Sequence, residues 1–286
     1  MKKITLIVLM LFTVLSYAQG IELNGTVSAE NNQIKNVADP TEAQDAATKA
    51  YIDELIANLQ SQIDNLDSTT VTDIDGNTYD YIAYGDQVWT VENAEMVTYR
   101  DGTPIPEVTD NTEWADLTTG AWAYYDNDPT KPRLYNWYAV AGIHDNDPNT
   151  PNKEFAPEGW HVPSDAEWTT LENHLIANDY NYDGTTTGNK IAKAMASITG
   201  WNSSTYAGAP GNDQSLNNSS GFNAFPEGNR DNDGSFFIEG NVAVFWNSTE
   251  FNTDLVMYCF LNSISSNMYR SYYYKQNGFS VRFVRD

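Results

Sequence analysis

The acidic turns of this 286-residue chain contain residue types that bind hydrated cations. Asp179, Asn181 and Asp183 alternate along the chain and Gly184 follows, which matches the first half of a D-x-N-x-D-G calcium loop. The position where a bidentate glutamate closes such a loop is Lys190. Turns rich in Asp and Asn also form without a metal. Two readings stay open, a Ca²⁺ site and a solvated turn. Two shorter acidic turns are interpreted as solvated: 145–147 and 231–234.

A second candidate is the tyrosine-rich segment 262–277. Its candidate binding residues are Asn267, Tyr269, Arg270, Tyr272 and Tyr274. Tyr, Ser, Asn and Arg form adaptable contact surfaces in recognition proteins, because tyrosine gives a large contact area at low ordering cost. Aromatic faces beside Asn and Asp also suit sugar rings. The alternative is a final hairpin whose tyrosines pack on a sheet, which the alternation along 272–274 fits. Both interpretations stay open.

The residue types of covalent and acid–base catalysis are sparse. His161 lies between Trp160 and Val162 and is interpreted as a hydrogen-bonded structural residue, because its sequence neighbours suggest neither a nucleophile nor an orienting acid. The other two histidines lack metal-ligand spacing. Cys259 is the single cysteine and lies in an apolar run, which predicts a buried, unreactive thiol. Whether the protein is an enzyme stays open, and the sequence favours a non-catalytic role.

The first eighteen residues have the organisation of an export signal. Lys2 and Lys3 precede the apolar run 4–15, and Ser16-Tyr17-Ala18 offers a small-x-small cleavage site. The run is shorter than the roughly 20 residues that span a bilayer, which argues against an uncleaved anchor. The residue directly after the cleavage site is Gln19 and not a cysteine, so a lipid anchor is not expected. We expect a secreted, extracytoplasmic chain without a transmembrane segment, in the periplasm or beyond.

Composition limits the partners. The chain carries 39 acidic and 15 basic residues, a net charge of -24, and such a chain repels phosphate backbones. Nucleic acid is therefore an unexpected partner. An aromatic content of 13% with eight tryptophans predicts a folded core.

Composition also changes near Ser68. Residues 20–67 contain neither Trp nor Phe, whereas aromatics are dense after Val71. We predict an extended segment and stalk over 19–70 and a head domain over 71–286. The apolar residues of the stalk helix follow the heptad spacings 4, 3, 4 and 3: Ile52, Ile56, Leu59, Ile63 and Leu66. So short and polar a helix implies partners, hence a homo-oligomeric coiled coil, with a single helix docked on the head as the alternative.

Two observations favour different numbers of chains in the stalk. Ile at position a with Leu at position d favours two strands. The segments 34–40 and 45–53, IKNVADP and DAATKAYID, resemble a collar element of phage tail fibres and related bacterial surface proteins. That resemblance implies a trimeric coiled coil. We expect a trimer over a dimer.

The head reads as an α+β domain of short strands and two main helices. Strands are predicted at 78–83, 87–91, 121–125, 242–246 and 279–284. Ser164 and Glu167 form a capping box that predicts a helix over 165–177 with Trp168, Leu171 and Leu175 on one face. A second helix is predicted over 189–197.

Motifs throughout the head carry a family resemblance. They are DIDGNTY at 73–79, QVW at 87–89, YRDGTPI at 99–105, LYNWYAV at 134–140, PEGWHVPSDAEW at 157–168, FWNSTE at 245–250 and NGFSVR at 277–282. The head resembles the Fibrobacter succinogenes major paralogous domain family of secreted bacterial proteins. The resemblance implies a C-type-lectin-like fold shared with formylglycine-generating enzymes. Ala156 and Phe283 stand where the family often carries cysteines, which suggests that one disulfide is lost. Formylglycine-generating activity needs paired cysteines, which Cys259, the single cysteine of this chain, cannot supply.

These observations lead to a functional hypothesis. We expect an oligomeric secreted or surface protein for recognition or adhesion, whose head binds a glycan or a protein. The alternatives are an extracytoplasmic hydrolase or modifying enzyme on the same fold, and a structural component of an extracellular assembly.

Overall fold

The computed structural model describes residues 51–59 and 69–286. The chain divides into two compact units, Met1–Asp67 and Ser68–Asp286. Within the first unit, residues 51–59 are helical. The stalk residues Ile52, Ile56 and Leu59 are 41%, 58% and 56% exposed.

Several sequence predictions lie outside the described residues. They are the export signal at 1–18, the extended segment and collar-like residues before 51, and the seam residues Ile63 and Leu66. Within the described part of the chain, no helix is long and apolar enough to cross a membrane.

The second unit is built of short strands and few helices. Its strands are β1 Thr70–Thr72, β2 Thr78–Tyr84, β3 Gln87–Thr90, β4 Trp122–Tyr124, β5 Arg133–Asn136, β6 Trp160–His161, β7 Asn229–Arg230, β8 Phe236–Phe237, β9 Val242–Glu250, β10 Leu255–Asn262, β11 Met268–Tyr274, β12 Gly278–Phe279 and β13 Val284–Arg285. Its α-helices are α1 Asn111–Ala115, α2 Trp137–Val140, α3 Asp165–Ala177 and α4 Ala192–Met195, and short 3-10 turns occur at Tyr125–Asn127 and Gln214–Leu216.

Within residues 69–286 the strands form three sheets. Their orders are β1-β2-β3-β13-β6, β4-β5-β12-β7-β8 and β11-β10-β9. All strand pairs are antiparallel. Sheets with few helices are consistent with the α+β class that the sequence predicted.

The three-stranded sheet separates two hydrophobic cores. Val242, Val244 and Trp246 of β9 face one core, and Ala243 and Phe245 face the other. Alternate side chains of a strand point to opposite faces, and β9 is buried on both sides over Val242–Asn247. In β10, Cys259 and Leu261 are buried on one face, whereas Tyr258 and Phe260 on the other face are only partly buried. Both faces of β10 are apolar, so the run 255–261 has no alternating pattern to identify it as a strand.

The helix α3 is confirmed as predicted from local sequence. The Ser164 side chain accepts from the Glu167 backbone N–H, and the Glu167 carboxylate accepts from the Ser164 N–H at 2.8 Å. Trp168, Leu171 and Leu175 are fully buried in the core on one side of the sheet. The capping box fixes the helix start, and the apolar stripe fixes its orientation.

Three predicted elements are wrong in extent. The strand predicted over 242–246 continues to Glu250. The second helix covers only Ala192–Met195, because the backbone before it is bonded elsewhere: the Lys190 N–H donates to Asn181 Oδ1 (2.9 Å), and the Lys190 carbonyl accepts from the Tyr182 N–H (3.2 Å). The predicted strand 279–284 is divided into β12 and β13, which belong to different sheets. The residues between them cross the core, where Arg282 is 1% exposed.

The buried guanidinium of Arg282 ties distant segments together. It donates to the carbonyl oxygens of Thr90 (2.9 Å), Phe222 (3.0 Å) and Asn223 (3.2 Å), and to Asn93 Oδ1. Burial lowers the pKa of Arg282 to about 10, so the group stays charged at neutral pH. The backbone oxygens replace the water that this charge loses, which is the condition for burying it.

Candidate binding groove

The sheet alternation divides the tyrosines of β11 between two faces. Tyr269 and Tyr273 lie opposite Phe260 and Val256 of β10, on the same face as Tyr258. Arg270, Tyr272 and Tyr274 lie on the other face, opposite Cys259, Met257 and Leu255. The tyrosine-rich segment therefore forms two surfaces, of which the one around Tyr273 borders a groove.

This aromatic groove has a volume of about 360 Å³, within the range of small-molecule sites. Four of its lining rings form a cluster in which Tyr258 contacts Phe260, Tyr273 and Phe279. The lining consists of these rings, further apolar side chains and polar groups: Tyr258, Phe260, Tyr273, Phe279, Phe237, Ile238, Val242, Val244, Asn229, Asp231, Asn262 and Asn277. The Tyr258 and Phe260 rings are nearly parallel, with centroids 5.6 Å apart. The Tyr273 ring stands at 88° to that of Tyr258. Ring faces of two orientations thus border the same space.

The polar wall of the groove centres on Asp231. Asn277 Nδ2 donates to Asp231 Oδ1 at 2.8 Å, and the Asn232 N–H donates to the same oxygen at 2.9 Å. The pKa of Tyr273 is raised, first by burial and then by the charge and hydrogen bond of Asp231. Asn277 is fully buried and its Oδ1 has no hydrogen-bond partner. An unsatisfied buried acceptor is costly, and a ligand in the groove cannot reach this oxygen because it has almost no accessible surface.

A second buried arginine holds this wall in place. Arg230 precedes Asp231, and its guanidinium donates to the carbonyl oxygens of Thr109 (3.1 Å), Gly234 (2.8 Å) and Val108. It also lies 4.2 Å from the centre of the Trp114 ring. These contacts fix β7 and the turn 231–234 against α1, and so fix where the Asp231 carboxylate lies.

The rim of the groove contains a strained residue. Ile238 has φ 60°, in the left-handed region, and its side chain is 47% exposed. A β-branched residue there costs about 1–2 kcal/mol. The surrounding bonds hold it, since the Asn241 N–H donates to the Ile238 carbonyl at 2.9 Å. The strain presents an isoleucine side chain to the groove.

The predicted binding residues have different surroundings. Tyr269 stacks on Phe260 at the margin of the groove, with centroids 5.1 Å apart. Arg270 is engaged by Glu172 and Thr169 of α3, so it anchors the sheet to the helix. Tyr272 stacks on Phe251, with centroids 4.2 Å apart.

The remaining two residues of that set lie at the ends of the strand. Tyr274 is 47% exposed on the face away from the groove. Asn267 lies in the turn before β11, where its N–H donates to Ser265 Oγ at 3.3 Å. The groove therefore brings Tyr269 close to other candidate groups and leaves the other four elsewhere.

The acidic loop predicted for calcium is closed by its own donors. Lys190 Nζ donates to the Asp183 carboxylate, and the Lys190 N–H donates to Asn181 Oδ1 at 2.9 Å. The lysine side chain lowers the pKa of Asp183 to about 2. Asp179 has φ 65°. A calcium ion would compete with the Lys190 ammonium for this loop, and calcium binding stays a prediction. Across the described residues, no group of three or more His, Cys, Asp or Glu side chains is placed to hold a metal.

The two residues examined for catalysis are held in the fold. His161 contacts Asp286 through Nδ1 (2.6 Å) and Glu167 through Nε2 (2.7 Å), so the sequence expectation of no acid near it is wrong. Burial alone lowers the pKa of His161, but these two hydrogen bonds outweigh it and raise the pKa. With both ring nitrogens engaged, the imidazole has no nitrogen left for a substrate. Cys259 is buried as predicted, and burial raises its pKa.

A second cleft, of about 420 Å³, contains two glutamates. Its lining includes Glu227, Glu239, Phe225 and Asn202. Burial raises the pKa of Glu227 to about 7, although hydrogen bonds from Ser280 and Asn93 and the charge of Arg282 act against it. Glu239 is paired with Lys131 at the surface. The cleft thus combines a glutamate whose pKa is raised by burial with a glutamate that pairs with Lys131.

Sequence reasoning missed most of the groove. Tyr258 and Phe260 lie in the apolar run of β10, which carried no pattern of its own. Asp231 was interpreted as part of a solvated turn. The motif that contains Asn277 and Phe279 pointed to the family and not to a site. One sequence feature could have indicated the groove face. Tyr269 and Tyr273 are four positions apart, and residues separated by an even number of positions lie on the same face of a strand.

The sheets and few helices define a sheet-rich domain, consistent with an α+β or a mostly-β fold. A family model for the Fibrobacter succinogenes major domain matches residues 82–285, well over half of the chain. The chain therefore belongs to this family. Neither a curated protein nor a solved structure matched it.

Proposed function

We propose that this protein is a non-catalytic recognition protein of the extracytoplasmic space, whose head binds a glycan or a protein in the aromatic groove. The observation that carries the proposal is a groove of about 360 Å³ that Tyr258, Phe260 and Tyr273 line together with the Asp231 carboxylate. A concave, mostly apolar site with a few fixed polar groups has the usual form of a ligand site. The short strands are compatible with the C-type-lectin-like fold that the family resemblance implies.

The rest of the proposal concerns export and assembly. The charged and apolar order of residues 1–18 supports secretion without a lipid anchor. The exposure of Ile52, Ile56 and Leu59 on a helical segment supports a homo-oligomeric coiled-coil stalk, a trimer over a dimer. Several heads on one stalk would combine weak individual contacts.

The binding proposal is tested with residues 19–286 on a glycan array and on immobilised extracellular proteins. Tyr273→Ala removes a groove ring, and Tyr272→Ala is the matched control on the opposite face of the same strand. We expect binding that Tyr273→Ala abolishes and Tyr272→Ala preserves. Equal binding by both variants and the unmodified chain would place recognition elsewhere and sink the groove proposal.

The assembly proposal has its own measurement. Light scattering on residues 19–286 is expected to give a trimer, and Ile56→Asn is expected to dissociate it, because a buried polar residue at an a position weakens the seam. A monomer at micromolar concentration would contradict the stalk.

Hydrolysis is a second candidate, favoured by the cleft that holds Glu227 and Glu239. A carboxylic acid with a raised pKa beside a carboxylate is the arrangement that glycosidases use. The test is release of reducing sugar from polysaccharides. Release by the unmodified chain that Glu227→Gln abolishes would favour the enzyme over the binding protein.

A further inference from the structure

We propose that the aromatic groove takes a neutral saccharide, whose rings pack on Tyr258, Phe260 and Tyr273 and whose hydroxyls donate to Asp231. This inference rests on the proposed recognition function and names its ligand class. It is carried by the hydrogen-bonding character of the groove, by its charge and by the spacing of its rings.

The polar wall calls for a ligand that donates hydrogen bonds. The Asp231 carboxylate lines the groove and can only accept hydrogen bonds. Its Oδ1 already accepts from Asn277 Nδ2 (2.8 Å) and from the Asn232 N–H (2.9 Å). Because the two oxygens of a carboxylate offer about four acceptor positions, a ligand hydroxyl can add a further hydrogen bond.

The groove also offers a donor. The Asn262 Oδ1 accepts from the Ile264 N–H at 3.0 Å, so the Nδ2 of Asn262 is the half of that side chain that can serve a ligand. Neighbouring hydroxyls of a sugar donate and accept at once, and they match a wall that mixes acceptors with a donor.

Charge excludes the acidic members of the class. The Asp231 carboxylate lies in the groove, Asp233 acts electrostatically on the same Tyr273, and the whole chain carries a charge of -24. A uronate, sulfate or phosphate brings further acceptors and a like charge, so both hydrogen bonding and Coulomb repulsion oppose it. A neutral ring meets neither obstacle.

The ring spacing suits a chain of sugars. Tyr269 and Tyr273 share a face and are four residues apart, which is about 13 Å along a strand. Phe260 stacks on Tyr269 at one end, and Tyr258 contacts Tyr273 at the other. The apolar faces of successive sugar rings can therefore pack along one row of side chains.

The test is native gel electrophoresis of residues 19–286 through gels containing a soluble polysaccharide. The neutral probes are galactomannan, xyloglucan and laminarin, the acidic probe is polygalacturonate, and gelatin is the protein probe. We expect retardation by at least one neutral probe, none by polygalacturonate, and a loss of affinity of tenfold or more (about 1.4 kcal/mol) in Tyr273→Ala. Tyr272→Ala should match the unmodified chain, and melting curves check that each variant is folded. Asp231→Asn keeps the shape of the wall and is expected to weaken retardation as well.

The outcomes separate the ligand class from the site. Retardation by gelatin alone, lost in Tyr273→Ala, overturns the saccharide assignment while the recognition groove stands. Preferential retardation by polygalacturonate also overturns the neutral class. Retardation by a neutral probe that Tyr273→Ala leaves unchanged overturns both the assignment and the groove. No retardation by any neutral probe overturns the assignment.

Discussion

Asn277 donates through Nδ2 to Asp231 Oδ1 across 2.8 Å, joining residues that are 46 positions apart in the chain. One residue precedes β12 and the other follows β7, and the two strands pair at Gly278 and Arg230. Gly278 favours this approach, because a Cβ there would crowd the Arg230 Cβ and the Trp114 ring, each 3.0 Å away. The close packing of two backbones thus brings an amide and a carboxylate together at the wall of the aromatic groove.

Asn277→Asp is predicted to destabilise the head at neutral pH. It replaces the donating amide by a second buried carboxylate beside Asp231, at a cost of about 2 kcal/mol or more. Protonation relieves the repulsion, so the loss should shrink towards about pH 4. Urea unfolding at the two pH values measures it, with Asn146→Asp in an exposed loop as the control. A loss that does not change with pH would contradict the role of charge.

Glu227→Gln is predicted to raise stability above neutral pH. The folded-state pKa of about 7 lies above the ordinary value of 4.5, so the stability contributed by the protonated group is complete below about pH 4.5 and is lost as the pH rises through 7. Glutamine does not ionise and avoids that loss, which is up to about 3 kcal/mol near pH 8. Urea unfolding near pH 4 and pH 8 checks this. Glu239→Gln, in the same cleft but paired at the surface, should change stability by less than about 1 kcal/mol. Equal effects of Glu227→Gln at both pH values would refute the assignment.

Arg282→Lys is predicted to destabilise by about 3 kcal/mol although the charge is kept. A lysine ammonium cannot reproduce the planar donors that reach the carbonyl oxygens of Thr90, Phe222 and Asn223. Arg285→Lys is the matched control, because Arg285 is exposed and lies over the Tyr81 and Trp160 rings. Equilibrium unfolding in urea measures both, and equal losses would contradict the clamp.

Ile238→Asn is predicted to stabilise the fold by up to about 1 kcal/mol, because asparagine tolerates the left-handed backbone better than a β-branched residue. The same change should weaken ligand binding, since Ile238 lines the groove. Ile198→Asn is the control: Ile198 is 55% exposed and has no positive φ. Thermal unfolding and gel retardation are measured on the same samples. Lower stability together with unchanged binding would contradict both expectations.

Lys190→Glu is predicted to create or strengthen a calcium site. It removes the ammonium from Asp183 and supplies the glutamate at the closing position of the loop. Millimolar CaCl₂ should raise the melting temperature of this variant by several degrees over EDTA, and that of the unmodified chain by less. Lys153→Glu, which breaks the exposed pair with Asp101, should show no gain. Equal shifts in all three proteins would dismiss the loop as a cation site.

Local patterns predicted the elements that local interactions determine. The capping box at Ser164 and Glu167 and the stripe of Trp168, Leu171 and Leu175 gave α3 with its bounds, because all the deciding contacts lie within the helix and its first turn. The second helix was predicted too long because the backbone at its start is bonded outside the helix: the Ala192 N–H donates to the Ser266 carbonyl at 3.0 Å. No local pattern carries that information.

The site was less predictable than the fold. The tyrosines of β11 were identified as a candidate surface, yet only Tyr269 of that set borders the groove, and Tyr273 was not chosen. The choice depends on the register of β11 against β10, which pairs Tyr273 with Val256. A shift of one residue would exchange the two faces. Asp231 and Asn277 come together only through the pairing of β7 with β12.

Along the seven residues of β11, alternate side chains face either the groove or the opposite side of the sheet. Even-numbered positions include Arg270, which fastens the strand to α3, whereas the odd-numbered positions 269, 271 and 273 face the groove side. Substitutions at the odd positions can therefore change ligand preference while the anchorage of the strand is kept. The groove-facing side chains of this one short strand can thus be varied while the contacts of its opposite face are kept. A library randomised at those three positions is a direct route to heads with new specificities.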